Sequence, residues 1–299
     1  MGNDVTELPE RLKPAKGGNM IGVFDSGSGG LTVFRALRKV FPDQQFIYYG
    51  DHGNAPYGNR DADSIYKLTI ASLERLFELG CTLIVVACNT AAATGLRRLQ
   101  QTWLPTHYPD KRVIGVIVPM VEAMTGVPWS VEFDSGFQSL EKKTVAVFAT
   151  RYTVESRVFV EETAKRAPNV NLVQQACPSL VRLIEANAPL HDLRRAVRRY
   201  VALLMRQLGG EHLDAVLLGC THYPLVEDLF AEAIPAQVQI FSQPKVTANS
   251  LVGYLGRHPE FACGREPCAV FYTSTKPENI TKLASRFLGD INVQFRALP

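Results

Sequence analysis

The feature that most constrains this chain is a repeated alternation of short apolar runs with longer amphipathic stretches, running from Met20 almost to the C-terminus. The runs Met20–Phe24, Gln45–Tyr49, Thr82–Ala87, Val113–Val118, Thr144–Phe148, Asn171–Gln175, Ala215–Leu218 and Val238–Phe241 read as buried strands. Between them, Leu31–Val40, Asp63–Leu79, Ala91–Gln101, Val154–Arg166, Pro189–Leu208, Pro224–Ala233 and Lys245–Leu255 carry helical periodicity. Ala269–Tyr272, a helix over Pro277–Leu288 and a strand over Asn292–Phe295 complete the series. Parallel strands need crossover helices, and those helices bury both sheet faces. The alternation therefore predicts an α/β protein with parallel sheets.

An internal echo refines this expectation. Val23-Phe24-Asp25-Ser26 is matched by Val147-Phe148-Ala149-Thr150, and Val86-Ala87-Cys88-Asn89-Thr90 by Leu218-Gly219-Cys220-Thr221-His222. Each is a buried strand delivering a small polar residue at its C-terminal edge. The stretch Met124–Lys143, with Pro128 and mixed polarity, breaks the rhythm as a long loop or a junction. Two pseudo-symmetric domains are expected, each a mainly parallel sheet flanked by helices, with the functional site in the cleft between them. Residues 20–113 with 226–299 are assigned to the first and 114–225 to the second. Residues 1–19, holding Pro9, Pro14 and Gly17-Gly18, read as a flexible extension. Ligands in such folds bind beyond the carboxyl ends of strands.

Composition excludes several classes. A net charge of +3 is too small to make nucleic acid or an anionic membrane the main partner. Arg194, Arg195, Arg198 and Arg199 read as a solvated helix face. No apolar run approaches the roughly 18 residues of a membrane span, and Met1–Asn19 has no apolar leader core. A cytoplasmic, reducing location is expected, where the six cysteines remain thiols. They form no C-x-x-C pair, so no metal is expected.

Cys88 and Cys220 are the candidate chemical groups. Each follows an apolar strand and precedes hydroxyl or amide side chains, where a helix start favours a thiolate and binds carboxylates. Inverting a carbon centre needs a proton removed on one face and delivered on the other. A thiol with an ordinary pKa of about 8.5 can serve either role near neutrality. Asp25 and His222 are the candidate proton partners. The loop Asp25-Ser26-Gly27-Ser28-Gly29-Gly30 lacks both the dinucleotide spacing and the G-K-[ST] ending, so it reads as a cradle for a small polar ligand.

Together these segments resemble the glutamate racemases, within the cofactor-independent aspartate/glutamate racemase family. The resemblance rests on Gly22-Val23-Phe24-Asp25-Ser26-Gly27-x-Gly29-Gly30-Leu31, on Gly50-Asp51 with Pro56-Tyr57-Gly58, on Ala87-Cys88-Asn89-Thr90-Ala91 and on Gly219-Cys220-Thr221-His222-Tyr223-Pro224. Thr153-Val154-x-Ser156, Ala176-Cys177-Pro178 and Phe271-Tyr272-Thr273 add to it. The resemblance implies Cys88 and Cys220 as the catalytic thiols, assisted by Asp25 and His222. The first thiol then deprotonates the D-enantiomer and the second the L-enantiomer. It implies substrate contacts at Asp25, Ser26, Tyr57, Gly58, Asn89, Thr90, Thr150, Thr153, Thr221 and His222. It implies no cofactor and no metal, glutamate as substrate, D-glutamate for peptidoglycan, and a homodimer. A cell-wall precursor bound as activator at the N-terminal extension is the further partner it raises. The chain departs from the family pattern at Val118-Pro119-Met120, at the 124–143 insert, and at Phe241-Ser242-Gln243-Pro244, where an Asp-Ser-Gly pattern is common.

Two other readings compete. An aspartate or hydantoin racemase would share the thiols, but Asp25-Ser26, Pro56-Tyr57-Gly58 and the full Cys220–Pro224 motif favour glutamate. A non-catalytic α/β binding protein would have no use for paired thiols.

Overall fold

The computed structural model describes residues 19–127, 142–262, 268–289 and 293–298. Residues 1–18 of the 1–19 extension, most of the 124–143 insert and Cys263 lie outside the described residues. In chain order the first elements are β1 (Met20–Asp25), α1 (Leu31–Val40), β2 (Phe46–Gly50), α2 (Ala62–Glu78), β3 (Cys81–Val86), α3 (Asn89–Gln101), α4 (Trp103–His107), β4 (Arg112–Gly115) and α5 (Ile117–Thr125). Next come β5 (Lys143–Ala149), α6 (Arg151–Glu155), α7 (Val158–Ala164), β6 (Val170–Ala176), α8 (Leu180–Glu185), α9 (Leu190–Leu208), β7 (Ala215–Gly219), α10 (Glu227–Ala233) and β8 (Gln239–Ser242). The chain closes with α11 (Gln243–Arg257), β9 (Ala269–Thr273), α12 (Pro277–Leu288) and β10 (Phe295–Ala297).

The strands form two sheets, β10-β9-β2-β1-β3-β4 and β6-β5-β7-β8. All their pairings are parallel. The order β2-β1-β3-β4 in the first sheet is repeated as β6-β5-β7-β8 in the second. The internal echo in the sequence is thus a repeat of topology, and β9 and β10 are additions to one edge of the first copy. In each copy the strand order reverses between the first and third strands. That switch point opens a crevice at the carboxyl ends of β1 and β3, and of β5 and β7.

Burial follows from the sequence pattern. β1 and β2 are buried along their whole length, as the continuous apolar runs require for strands covered on both faces. α1 buries Leu31, Val33, Phe34 and Leu37 on one stripe, each side chain contributing about 1.5–3 kcal/mol of transfer free energy. Phe34 packs edge-on against Phe46, Tyr48 and Phe271 at centroid distances of 5.8, 6.1 and 4.9 Å.

Several expectations need correction. β8 pairs with β7, so residues up to Ser242, placed with the first domain from position 226, hydrogen-bond into the second sheet. The chain returns to the first half only at α11, which packs on α1. The strand expected over Val113–Val118 ends at Gly115. Val116 turns into helical backbone and Ile117 opens α5. The single helix expected over Val154–Arg166 is two, because Arg157 takes left-handed backbone (φ 57°) between α6 and α7. A short 3₁₀ turn at Tyr223–Val226 precedes α10. α4, α5 and α8 were not anticipated; α4 and α8 are too short to show a helical period.

Candidate active site

Both switch points open on one cavity of about 680 Å³, within the range usual for small-molecule sites. The β1 end supplies Ser26, the β3 end Cys88, Asn89 and Thr90, the β5 end Thr150, and the β7 end Cys220, Thr221 and His222. Tyr57 and Gly58, after β2, complete the predicted residues that line it. Two predicted residues do not. Asp25 lies at the very end of β1, 1% exposed. Thr153 is fully buried and hydrogen-bonds Thr150 at 3.0 Å.

Cys88 occupies the N-cap of α3. Its sulfur lies 3.3 Å from the Ser26 hydroxyl. Burial, reinforced by the nearby Asp25 carboxylate, pushes the thiol up to about 12, with Ser26 and the amide of Ala91 opposing. The carboxylate of Asp25, a candidate proton partner, accepts from the Gly27 amide (2.8 Å) and from the Thr221 hydroxyl (3.3 Å), which belongs to the loop of Cys220. Burial raises the Asp25 pKa, with the charge on His222 and these hydrogen bonds opposing.

Cys220 has a different neighbour. His222 Nδ1 lies 3.8 Å from its sulfur, and Nε2 lies 2.9 Å from Glu185 Oε1. Burial disfavours the imidazolium, but Cys220 and Glu185 together outweigh it and push His222 up to about 10. His222 is therefore protonated at neutral pH, giving one N–H to sulfur and the other to carboxylate. Glu185 pays a desolvation penalty too, yet the His222 contact holds it below its ordinary range.

Close packing joins the two halves here. Thr32 of α1 donates to the Thr221 carbonyl at 2.9 Å. A Cβ on Gly29 would lie 2.3 Å from Thr221 Oγ1 and 2.5 Å from His222 Nδ1, so only glycine fits. Across the cleft, Thr90 and Thr150 hydroxyls meet at 3.2 Å. Tyr57 donates to Asp51 at 2.7 Å, which fixes its ring in the wall. The Asn89 amide is engaged by Gln243 from the start of α11.

Sequence reasoning missed Glu185. It also missed Arg151 and Arg182, which line the cavity along with Cys177. Glu185 ends α8, six residues long, and no motif flags it. A signal did exist for the loop before it. Ala176-Cys177-Pro178 begins at the last residue of β6 and is another strand-to-helix handover.

Fold and site together define a two-domain α/β protein with a cavity for a small polar ligand lined by two thiols that have different neighbours. Residues 31–251 match the family model described as Asp/Glu/Hydantoin racemase, and the chain belongs to that family. A glutamate racemase from Phenylobacterium zucineum is 45% identical over 274 residues, covering 90% of this chain and 96% of that one. Among solved structures, a glutamate racemase isoform from Bacillus anthracis aligns with a TM-score of 0.80 at 28% identity, covering 94% and 97% of the two chains. The Escherichia coli glutamate racemase, solved with L-glutamate and the activator UDP-MurNAc-Ala, aligns with a TM-score of 0.67 at 25% identity, over 93% and 96%.

Proposed function

We propose that this chain interconverts L- and D-glutamate by a cofactor-independent two-base mechanism, supplying D-glutamate for peptidoglycan synthesis. The observation that carries the mechanism is the placement of Cys88 and Cys220. They come from equivalent strand ends of two equivalent sheets and line one cavity. In the D to L direction, the Cys88 thiolate removes the α-proton and the Cys220 thiol returns one to the opposite face. The Cys220 thiolate then recovers its proton from His222. In the reverse direction Cys220 is the base and Cys88 the acid.

Burial disfavours the Cys88 thiolate, and the substrate's α-ammonium, held beside Cys88, favours it. Ser26, Asn89, Thr90, Thr150, Thr221 and the wall formed by Tyr57 and Gly58 supply polar contacts to the two carboxylates. Thr153 acts from behind Thr150, and Asp25 through Gly27 and Thr221. Glutamate is preferred to aspartate or hydantoin because the relatives similar over most of the chain carry that name.

The first domain in this reading is residues 20–115 with 243–299, and the second 116–242, following sheet membership. A cytoplasmic location and a homodimer complete it. No helix among the described residues is long and apolar enough to cross a membrane. An activator resembling the precursor bound by the Escherichia coli enzyme is a further proposed partner at the extension.

The direct test is proton exchange. Incubated with L- or D-glutamate in D2O without added pyridoxal phosphate, the protein should replace the Cα proton with deuterium and convert each enantiomer to the other. No exchange from either enantiomer removes the racemase reading. Exchange of aspartate in preference to glutamate moves the chain to the alternative substrate.

A further inference from the structure

We propose that Gln243 is a positioning residue for Cys88, acting through Asn89 on the first turn of α3; the proposal rests on the two-thiol reading above. Asn89 Nδ2 donates to Gln243 Oε1 at 2.7 Å, and Gln243 Nε2 donates to Asn89 Oδ1 at 2.7 Å. Asn89 is 3% exposed and Gln243 not at all, so water does not compete for either bond. Two short reciprocal hydrogen bonds between planar amides fix distance and rotation together.

The two partners stand at informative places. Asn89 is the residue after Cys88 and the first of α3. Gln243 is the first residue of α11, immediately after β8, where the chain passes from the second sheet back to the first half. α11 is broadly packed against α1 and α5, and so offers a firm anchor. What the anchor holds is the first turn of α3, which begins at the residue after Cys88. Moving that turn shifts the Cys88 sulfur from its place 3.3 Å from the Ser26 hydroxyl, and a buried sulfur has few other donors to favour its thiolate. The Cys220 loop is held by other groups, Thr32 and Asp25 through Thr221, and its thiol neighbours His222. The clamp therefore serves one thiol of the two.

That one-sidedness gives the test. With Cys220→Ser, Cα exchange of D-glutamate in D2O reports on Cys88 alone. With Cys88→Ser, exchange of L-glutamate reports on Cys220 alone. Adding Gln243→Met should slow the first roughly 10- to 100-fold, the penalty for a misplaced reacting group, and leave the second within about threefold. Equal slowing on both sides, or none, overturns the proposal. Gln243→Glu keeps one of the two bonds and should fall between Gln243→Met and the parent. It also serves if Gln243→Met does not fold. A readout independent of turnover is carboxymethylation by iodoacetate, followed separately at each thiol by peptide mass. Cys88 should label more slowly in the Gln243 variants and Cys220 at its parental rate. Unchanged labelling of Cys88 rules the clamp out whether or not the chain racemises glutamate.

Discussion

Cys88 caps α3 beside the Ser26 hydroxyl and close to the buried carboxyl of Asp25, whereas Cys220 directly follows β7 beside an imidazolium, His222, that Glu185 holds in place. The two sheets that deliver them share a strand order, so the backbone presents both sulfurs in the same way. The surroundings differ in sign. Burial, with the nearby Asp25 carboxylate, keeps the Cys88 thiol protonated, while a protonated imidazole, His222, stands beside Cys220. A repeated fold thus carries an unsymmetrical pair, and the lesson is that topology places a group while side chains set its charge. In this scheme the first half depends on the substrate's ammonium to form its base, and the second has its own proton store.

The comparison can be broken most directly at the sulfurs. Cys88→Ser and Cys220→Ser should each lower kcat for racemisation by at least roughly 10²–10⁴-fold, the usual share of a general acid or base. Each should still permit exchange of the one enantiomer that the remaining thiol serves. Full activity in either variant would end the two-base scheme.

A smaller effect sharpens the difference between the halves. His222→Asn removes the proton store of Cys220 and should cost about 100-fold in kcat, whereas Ser26→Ala, which removes a hydroxyl neighbour, should cost about tenfold. Steady-state kinetics in both directions would measure this. Equal losses would mean that the imidazolium gives Cys220 no special support.

Packing between the halves comes next. Gly29→Ala drives a methyl into Thr221 and His222 and should destabilise the protein by about 1–3 kcal/mol. The loss should appear in urea unfolding, with activity falling alongside. An unchanged midpoint would mean that the Cys220 loop yields freely.

The smallest effect is electrostatic. His222 is raised from 6.5 to about 10, so the folded state keeps a proton that the unfolded chain releases. This contribution to stability is complete below about pH 6.5 and is lost as pH climbs through about 10. Glu185→Gln lowers the His222 pKa and should flatten that decline in urea midpoints measured between about pH 7 and about pH 9.5. Parallel curves for parent and variant would show that Glu185 does not sustain the charge.

Much of this was legible in the residues. The strand runs, the Cys88 and Cys220 loops and the echo between halves all depend on local pattern, and α1 and α12 run as the periodicity predicts. His222 beside Cys220 was legible because the two are neighbours in sequence. The assignment of 226–242 to the first domain failed because strand partnership is a long-range choice. An apolar run such as Val238–Phe241 fits either sheet equally well. Asp25 ends β1, as the first apolar run foretells, but its bonds to Gly27 and Thr221 depend on the loop's fold.

What the sequence by itself determined is the pair of thiols at strand ends and the α/β alternation that carries them, since both follow from residue order and period. Tertiary structure alone decided what surrounds each sulfur. Glu185 reaches His222 from 37 positions away and Gln243 reaches Asn89 from 154. No local rule foretells such meetings, because they arise where helices from distant segments pack against one another. The two cysteines were visible in the chain; the difference between them exists only in the fold.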